Sequence, residues 1–326
     1  MERLAICYLV KRIGIGGSVS LVDRRIAQIR SSFGDQIRIG VCAFVESRGD
    51  VAAAAIEARW ARQGVTTNVL GYRPRGGNLR TIRNLWRVSS QYDVIHLLNA
   101  PPAQTLVGAM SARRPLVVEW VTDLPQAGRK RRLVARLAAM NLAVSETVAA
   151  RIPSENVTVV RPPLDLAFAS GAVRPADLDP LVRERFPIIL FVSRLSREKG
   201  VGHLVPIATR VVQELPSALF LVAGDGELRS ELERDIVRAG LAGHVRLLGP
   251  RADVANLHVV ADIYLSTSEV EGLVGYSTLE AALSGTPIVA TDIPSVREIL
   301  RNGRDALLVR PGDAAEASEA VVRLAG

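Results

Sequence analysis

The stretch "ADIYLSTSEVEGLVGYSTLEAALSGTPIVATD" (Ala261–Asp292) holds a complete structural unit. "ADIYLST" is a short apolar run, "SEVEGLVG" a polar, glycine-bearing loop, and an apolar helix is expected from about Ser277. "TPIVAT" is then a second apolar run. Neither run alternates polar with apolar residues. Near-continuous apolar character marks strands buried on both faces, in a parallel sheet covered by helices. One β-α-β step of this kind implies its neighbours.

The same rhythm extends in both directions. Downstream come a short helix from Ser295, "ALLVR", and a last helix from Asp313. Upstream come "PIILFVS", a helix from about Gly200, "SALFLVAG", a helix from Glu227 and "HVRLLG". A segment carrying Pro162, Pro163, Gly171, Pro175 and Pro180 interrupts the pattern and reads as a linker. Before it, "RLAICYLV", "IRIGVCAF", "VTTNVL", "DVIHLLN", "PLVVEWV", "NLAVS" and "NVTVV" are the strands of another such sheet. Helices are expected at about Val19–Ser31 and after Asp50, a suitable N-cap. The fold class expected is α/β: two Rossmann-like, doubly wound domains facing a central cleft. The boundaries read 1–165 for the first domain, 166–185 for the linker and 186–326 for the second.

Composition agrees. Of 326 residues, 48% are hydrophobic and 23% charged, an ordinary globular balance and enough chain for two cores. Cys7 and Cys42 lie inside apolar runs; they form no disulfide framework and fit a reducing cytoplasm. The N-terminal apolar run is too short for a membrane span or a typical signal peptide. The net charge of +8 divides unevenly, +12 over residues 1–165 and −4 over 166–326. A one-sided basic domain either meets an anionic partner or has arginine-solvated helices.

Chemistry is expected just after the strands. In "FVSRLSREKGV" (Phe191–Val201), Arg194 and Lys199 flank a loop opening a helix at Gly200. Two cations at a helix start suit a diphosphate; the alternative is a solvated basic loop. "VAGDGE" (Val222–Glu227) reads as a tight turn, with Asp225 capping the next helix or with glycines approached by a ligand. "GIGGS" (Gly14–Ser18) lacks dinucleotide spacing, so a nicotinamide cofactor is not supported. Glu271 and Glu280 flank Gly275. A carboxylate among small apolar residues needs a partner: ligand hydroxyls, or a nearby backbone group or arginine.

Together these pieces resemble the nucleotide-sugar glycosyltransferases of the two-Rossmann-domain GT-B fold, in retaining family 4. In the second half the resemblance rests on an ordered set: "SRLSREKGV", "AGDGEL", "HVRLLGP", "ADIYLSTSEVEG" and "STLEAALSGTPIVATDIPSVREI". In the first half it rests on "GIGGS", "YDVIHLLN", "AVSETVAARI" and "NVTVVRPPLD". It implies that Arg194 and Lys199 hold and stabilise the donor diphosphate, that Glu280 binds ribose hydroxyls, and that Glu271 binds the transferred sugar. Backbone amides around Gly275, Tyr276 and Ser277 would contact phosphate, Leu248 to Arg251 would lie near the base, and Gly16 and Gly17 would approach the donor. No metal and no cofactor beyond the donor is implied, in keeping with a sequence without a His/Cys/Asp metal cluster. His96, Thr122 and Asp123 fall on the acceptor side.

Three departures stand out. Eight residues separate Glu271 from Glu280 where the family has seven, so a bulged loop is expected. The family's histidine–aspartate pair reads Thr122–Asp123. The family's final crossover helix is expected to be missing or shortened, since the sequence ends at Gly326. Two further readings share the donor site: a nucleotide-sugar 2-epimerase, which would want acid–base residues near the sugar, and a degenerate donor-binding partner subunit.

The acceptor side is basic and amphipathic. "RKRRLVARLAAM" (Arg129–Met140) and "RPRGGNLRTIRNLWR" (Arg73–Arg87) suit an anionic membrane surface and a lipid-linked or anionic acceptor. The alternative is a solvated helix with an inward apolar face. Location is then cytoplasmic, at the inner face of the membrane where that surface is used. Nucleic acid is disfavoured because no recognition motif accompanies the charge.

Overall fold

The computed structural model describes residues 3–14, 17–47, 51–72, 79–98, 114–121 and 129–326. The chain divides into two units, Met1–Leu164 and Asp165–Gly326. Each is organised around one parallel sheet.

In the first unit the strands are β1 (Leu4–Val10), β2 (Ile37–Ala43), β3 (Thr66–Val69), β4 (Val94–Leu98), β5 (Leu116–Trp120), β6 (Met140–Ala143) and β7 (Val157–Val159). Their order is β3-β2-β1-β4-β5-β6-β7, every pairing parallel. β1 carries no ladder-breaking residue and is buried from Cys7 onward, as a central strand must be. Helices Gly17–Phe33 and Val51–Arg62 join strands stepping one way across the sheet; Leu79–Ser89 and Arg129–Leu137 join strands stepping the other way. Right-handed crossovers therefore place the two pairs on opposite faces. Asp23 and Arg59 join the first pair at 2.8 Å.

The second unit holds β8 (Ile188–Val192), β9 (Leu219–Ala223), β10 (Val245–Gly249), β11 (Ile263–Ser266), β12 (Ile288–Thr291) and β13 (Leu307–Val309). The order is β10-β9-β8-β11-β12-β13, again all parallel. Its core packs Ile189, Phe191, Phe220 and Val222 of the sheet against Leu204, Ile207, Val211 and Val321 of the helices.

The expected strands are all present. The helix expected from Gly200 begins instead as two short 3₁₀ turns, Arg197–Lys199 and Val201–His203, before Leu204–Glu214. Residues 166–185, read from the sequence as a linker, cluster with the second unit. Leu178 and Val182 are buried, Phe168 stacks edge-on against His258 at 6.2 Å, and the Val173 N–H donates to Asn256 at 2.9 Å. Their prolines break periodicity without freeing the chain, because Val173 and Asp177 are held by Asn256 and Arg251, residues the sequence does not place beside them. Asp50, expected to cap a helix, lies outside the described residues.

Candidate functional site

The strand order of the second sheet reverses between β8 and β11. Open parallel sheets bind ligands at the carboxyl ends of strands flanking such a reversal. Two loops leave from that point, 193–203 after β8 and 267–275 after β11.

The loops are stitched together through their backbones. Gly200 is left-handed (φ 64°), and a Cβ there would clash with the Thr267 carbonyl oxygen. Both the conformation and the space thus require glycine. The Thr267 hydroxyl lies 3.0 Å from the carbonyl oxygens of Lys199 and Gly200. The Glu269 N–H donates to the Glu198 carbonyl at 3.0 Å. On this frame Lys199 Nζ pairs with Glu271 Oε1, both side chains mostly sheltered. Arg194, well exposed, pairs with Glu198. Burial opposes ionisation of Glu198, but its own backbone N–H, Ser196, and the Arg194 and Lys199 charges outweigh it and hold the carboxyl below its usual range.

Helix Tyr276–Leu283 begins at the end of the second loop. Gly275 caps it, its carbonyl accepting from Thr278 and Leu279 N–H at 3.0 and 3.2 Å. A Cβ on Gly275 would meet Glu271 Oε1 at 3.5 Å, so the Glu271 carboxylate sits at the helix N-terminus, where the dipole favours negative charge. From below, the Tyr264 hydroxyl donates to Ser277 Oγ at 2.8 Å. Burial pushes the Tyr264 hydroxyl up to about 12; bonds with Ser277 and Thr278 oppose the shift, while the charges of Glu271 and Glu280 add to it. Glu280 is half-buried on the same helix. Gly272 and Val274 are buried within the loop that carries the extra residue.

The arrangement has a specific chemical capacity. A cation, a helix start and two carboxylates lie together at a strand-order reversal. An anion arriving at Lys199 competes with Glu271. Displaced, the carboxylate can accept hydrogen bonds from ligand hydroxyls.

The remaining candidates separate. Leu248 is the extra residue of a bulge in β10, since Leu247 pairs with Val222 and Gly249 with Ala223. Arg251 is committed to two carboxylates: Asp177 at 2.6 Å and Asp253 at 2.7 Å. Both hydrogen bonds raise its pKa further, and Asp177 and Asp253 are held low in turn. Its guanidinium ties the 166–185 segment to the rest of the second unit. Gly224 and Gly226 serve packing: Cβ atoms there would strike the carbonyl oxygens of Ser193 and Leu195, so the turn presses directly on the first loop. Gly17 opens helix Gly17–Phe33, whereas Gly16, Thr122 and Asp123 lie outside the described residues, as do residues 73–78.

His96 is buried in the first unit, its ring 4.8 Å from Tyr8. Its Nε2 lies 2.9 Å from Glu119 Oε2, and Arg25 reaches Glu119 Oε1 at 3.0 Å. Burial alone would raise the Glu119 carboxyl; the bond and charge of His96 and the charge of Arg25 prevail and hold it low. Sequence reading passed over Glu119. The available signal was a lone carboxylate in the apolar run "PLVVEWV", which demands a buried partner. It also left Glu269 without a role; the structure places its Oε1 2.6 Å from His203 Nε2. An open surface groove lined by Pro206, Arg210, Arg310 and Pro311 includes none of these residues. Among the described residues no cluster of three or more His, Cys, Asp or Glu side chains has metal-holding geometry, and no helix is long and apolar enough to cross a membrane.

Comparison with known proteins places this geometry. Residues 186–326 match the family model described as glycosyl transferases group 1. The 2-deoxystreptamine glucosyltransferase of Streptomyces kanamyceticus is 32% identical over 146 residues, 44% of this chain and 38% of that protein. The alpha-D-kanosaminyltransferase of the same organism is 29% identical over 232 residues, 66% of this chain and 58% of that one. The chain thus spans between about two fifths and three fifths of these relatives' length. Among solved structures, Anabaena HepE in complex with UDP-glucose superposes with a TM-score of 0.80, covering 98% of this chain and 89% of that one at 24% identity. Sucrose-phosphate synthase from Thermosynechococcus elongatus gives a TM-score of 0.74 at 18% identity, covering 99% and 90%. The chain has the two-Rossmann-domain GT-B fold, and the likeness to glycosyl transferases group 1 lies in residues 186–326, within the second unit.

Proposed function

We propose that this protein is a glycosyltransferase that moves a sugar from a nucleoside-diphosphate sugar, a UDP-sugar first among candidates, to a hydroxyl acceptor. The observation that carries the reading is the convergence of Lys199, Glu271 and the start of helix Tyr276–Leu283 at the β8–β11 reversal. Lys199, with Arg194 beside it, would meet the donor diphosphate. Glu271 would then turn to the sugar hydroxyls and Glu280 to the ribose. The structural neighbour HepE, seen with UDP-glucose, supports UDP as the first nucleotide to try.

In the reaction proposed, the bond from the sugar's anomeric carbon to the diphosphate oxygen breaks. A bond to the acceptor oxygen forms on the same face, and the acceptor proton passes to the leaving phosphate. Negative charge grows on that phosphate, so fixed cations are the main catalytic contribution and neither a metal nor a protein base takes part. Titration calorimetry with UDP-, GDP- and ADP-sugars tests the reading. Binding of one of them, lost in Lys199→Ala, is expected; no binding to any would sink it.

The acceptor is read as lipid-linked or anionic. Helix Arg129–Leu137 presents Arg129, Arg132 and Arg136 together with half-exposed Leu133 and Leu137, and Trp86 of helix Leu79–Ser89 is exposed on the same face of the sheet. Basic residues interleaved with exposed apolar ones suit an anionic bilayer. Co-sedimentation with phosphatidylglycerol vesicles at low salt is expected, and with neutral vesicles is not. Equal behaviour with both would remove this part.

A further inference from the structure

We infer that His203 and Glu269 form a positioning pair that holds Lys199 and Glu271 in register for the donor. This deepens the function proposed above and rests on it for the ligand. Three glutamates crowd Glu269–Glu280. Two of them are assigned to the proposed donor; the third, Glu269, pairs with His203 instead.

Glu269 and Glu271 sit two residues apart on the loop after β11, and Lys199 and His203 four apart on the loop after β8. The pairs cross in parallel: Lys199 with Glu271, His203 with Glu269. Between them the Glu269 N–H is fixed to the Glu198 carbonyl at 3.0 Å. A carboxylate only accepts, so His203 must carry its proton on Nε2 and donate it to Glu269 Oε1 across 2.6 Å. Gly312 lies beside the ring: a Cβ there would stand 3.7 Å from its Cε1, an ordinary packing contact.

The division of labour follows. When an anion takes Lys199, the Lys199–Glu271 link is broken by the ligand itself. The His203–Glu269 link does not involve the ligand and persists. It keeps both loops at their apo spacing while Glu271 changes partner. Without it, the loops are joined on that side by Thr267 and one backbone bond, and donor binding must also order them.

Five proteins test this: wild type, His203→Ala, Glu269→Ala, the double variant, and His203→Gln as the conservative replacement that keeps a donor near the Nε2 position. The donor KM is expected to rise about tenfold in either single variant and no further in the double, as for a coupled pair. The kcat should stay within about twofold, because neither residue contacts the donor in this reading. His203→Gln should recover most of the loss. Effects that multiply in the double variant, or that fall on kcat, overturn the pair as a positioning unit. Hydrogen exchange on the ligand-free proteins separates this from the function proposed. Amides of residues 198–203 and 268–275 should exchange about tenfold faster in both alanine variants. Unchanged exchange refutes the lock, whether or not any nucleotide sugar binds.

Discussion

Two ion-paired groups, one in each unit, lie at different depths. In the first, Arg25, Glu119 and His96 meet inside the sheet–helix layer, with the Glu119 side chain fully enclosed. In the second, Lys199 and Glu271 meet at the loop rim, each still partly open to solvent. A charge in the interior must be satisfied permanently by its neighbours, since water cannot replace them. A charge at the rim can exchange its partner for a ligand. The same chemistry of cation and carboxylate is thus architecture in one unit and, in the function proposed, a binding device in the other.

The sharpest way to break this contrast is to remove one cation from the rim. Lys199→Ala should lower turnover about a thousandfold, comparable to losing a principal electrostatic contact in a transition state. Its urea midpoint should barely move. A rim pair that proved essential to folding would erase the distinction. In the interior the expectation reverses: Glu119→Gln leaves Arg25 and His96 without their counter-charge and should cost about 3–5 kcal/mol of stability by urea denaturation.

A third test uses pH. Burial lowers the His258 pKa to about 4 from an ordinary 6.5. The unfolded chain therefore takes up this proton first. Stability is retained above pH 6.5 and falls as pH drops toward 4, by about 3 kcal/mol in total. His258→Asn should remove that part of the slope, measured by denaturation across the interval. Gly200→Ala comes next, at about 1–3 kcal/mol, because it combines a left-handed backbone with a clash at the Thr267 carbonyl. Smallest is Arg229→Ala. Its pair with Glu233 spans 3.0 Å on a solvated helix face, and a change of no more than about 0.5 kcal/mol is expected by the same assay.

The fold was legible because parallel strands buried on both faces cannot hide their apolar runs. β8, β9 and β12 are buried almost throughout, and each is plain in the sequence. That Lys199 and Glu271 lie in loops directly after strands was legible too, because those strands are plain in the sequence. What escaped depends on long-range partnership. Arg251 looks like a free cation until Asp177, seventy-four residues away, is seen to hold it. Gly224 and Gly226 read as a tight turn that a ligand could also approach; what requires them is the loop after β8 laid across them. Glu119 sat in view within an apolar strand, but its partners come from β4 and from helix Gly17–Phe33. The sequence marks which residues are unusual; only packing decides which neighbour makes them comfortable.

The anchoring of the 166–185 segment bears on how the molecule can be cut. A fragment begun at the family-model boundary, Phe186, would strip Leu178 and Val182 from their burial, unstack Phe168 from His258 and deprive Arg251 of Asp177. A fragment begun at Asp165 keeps all of these contacts. For dissecting the second unit in isolation, the packing boundary and the family-model boundary differ by twenty-one residues, and the packing favours the longer piece.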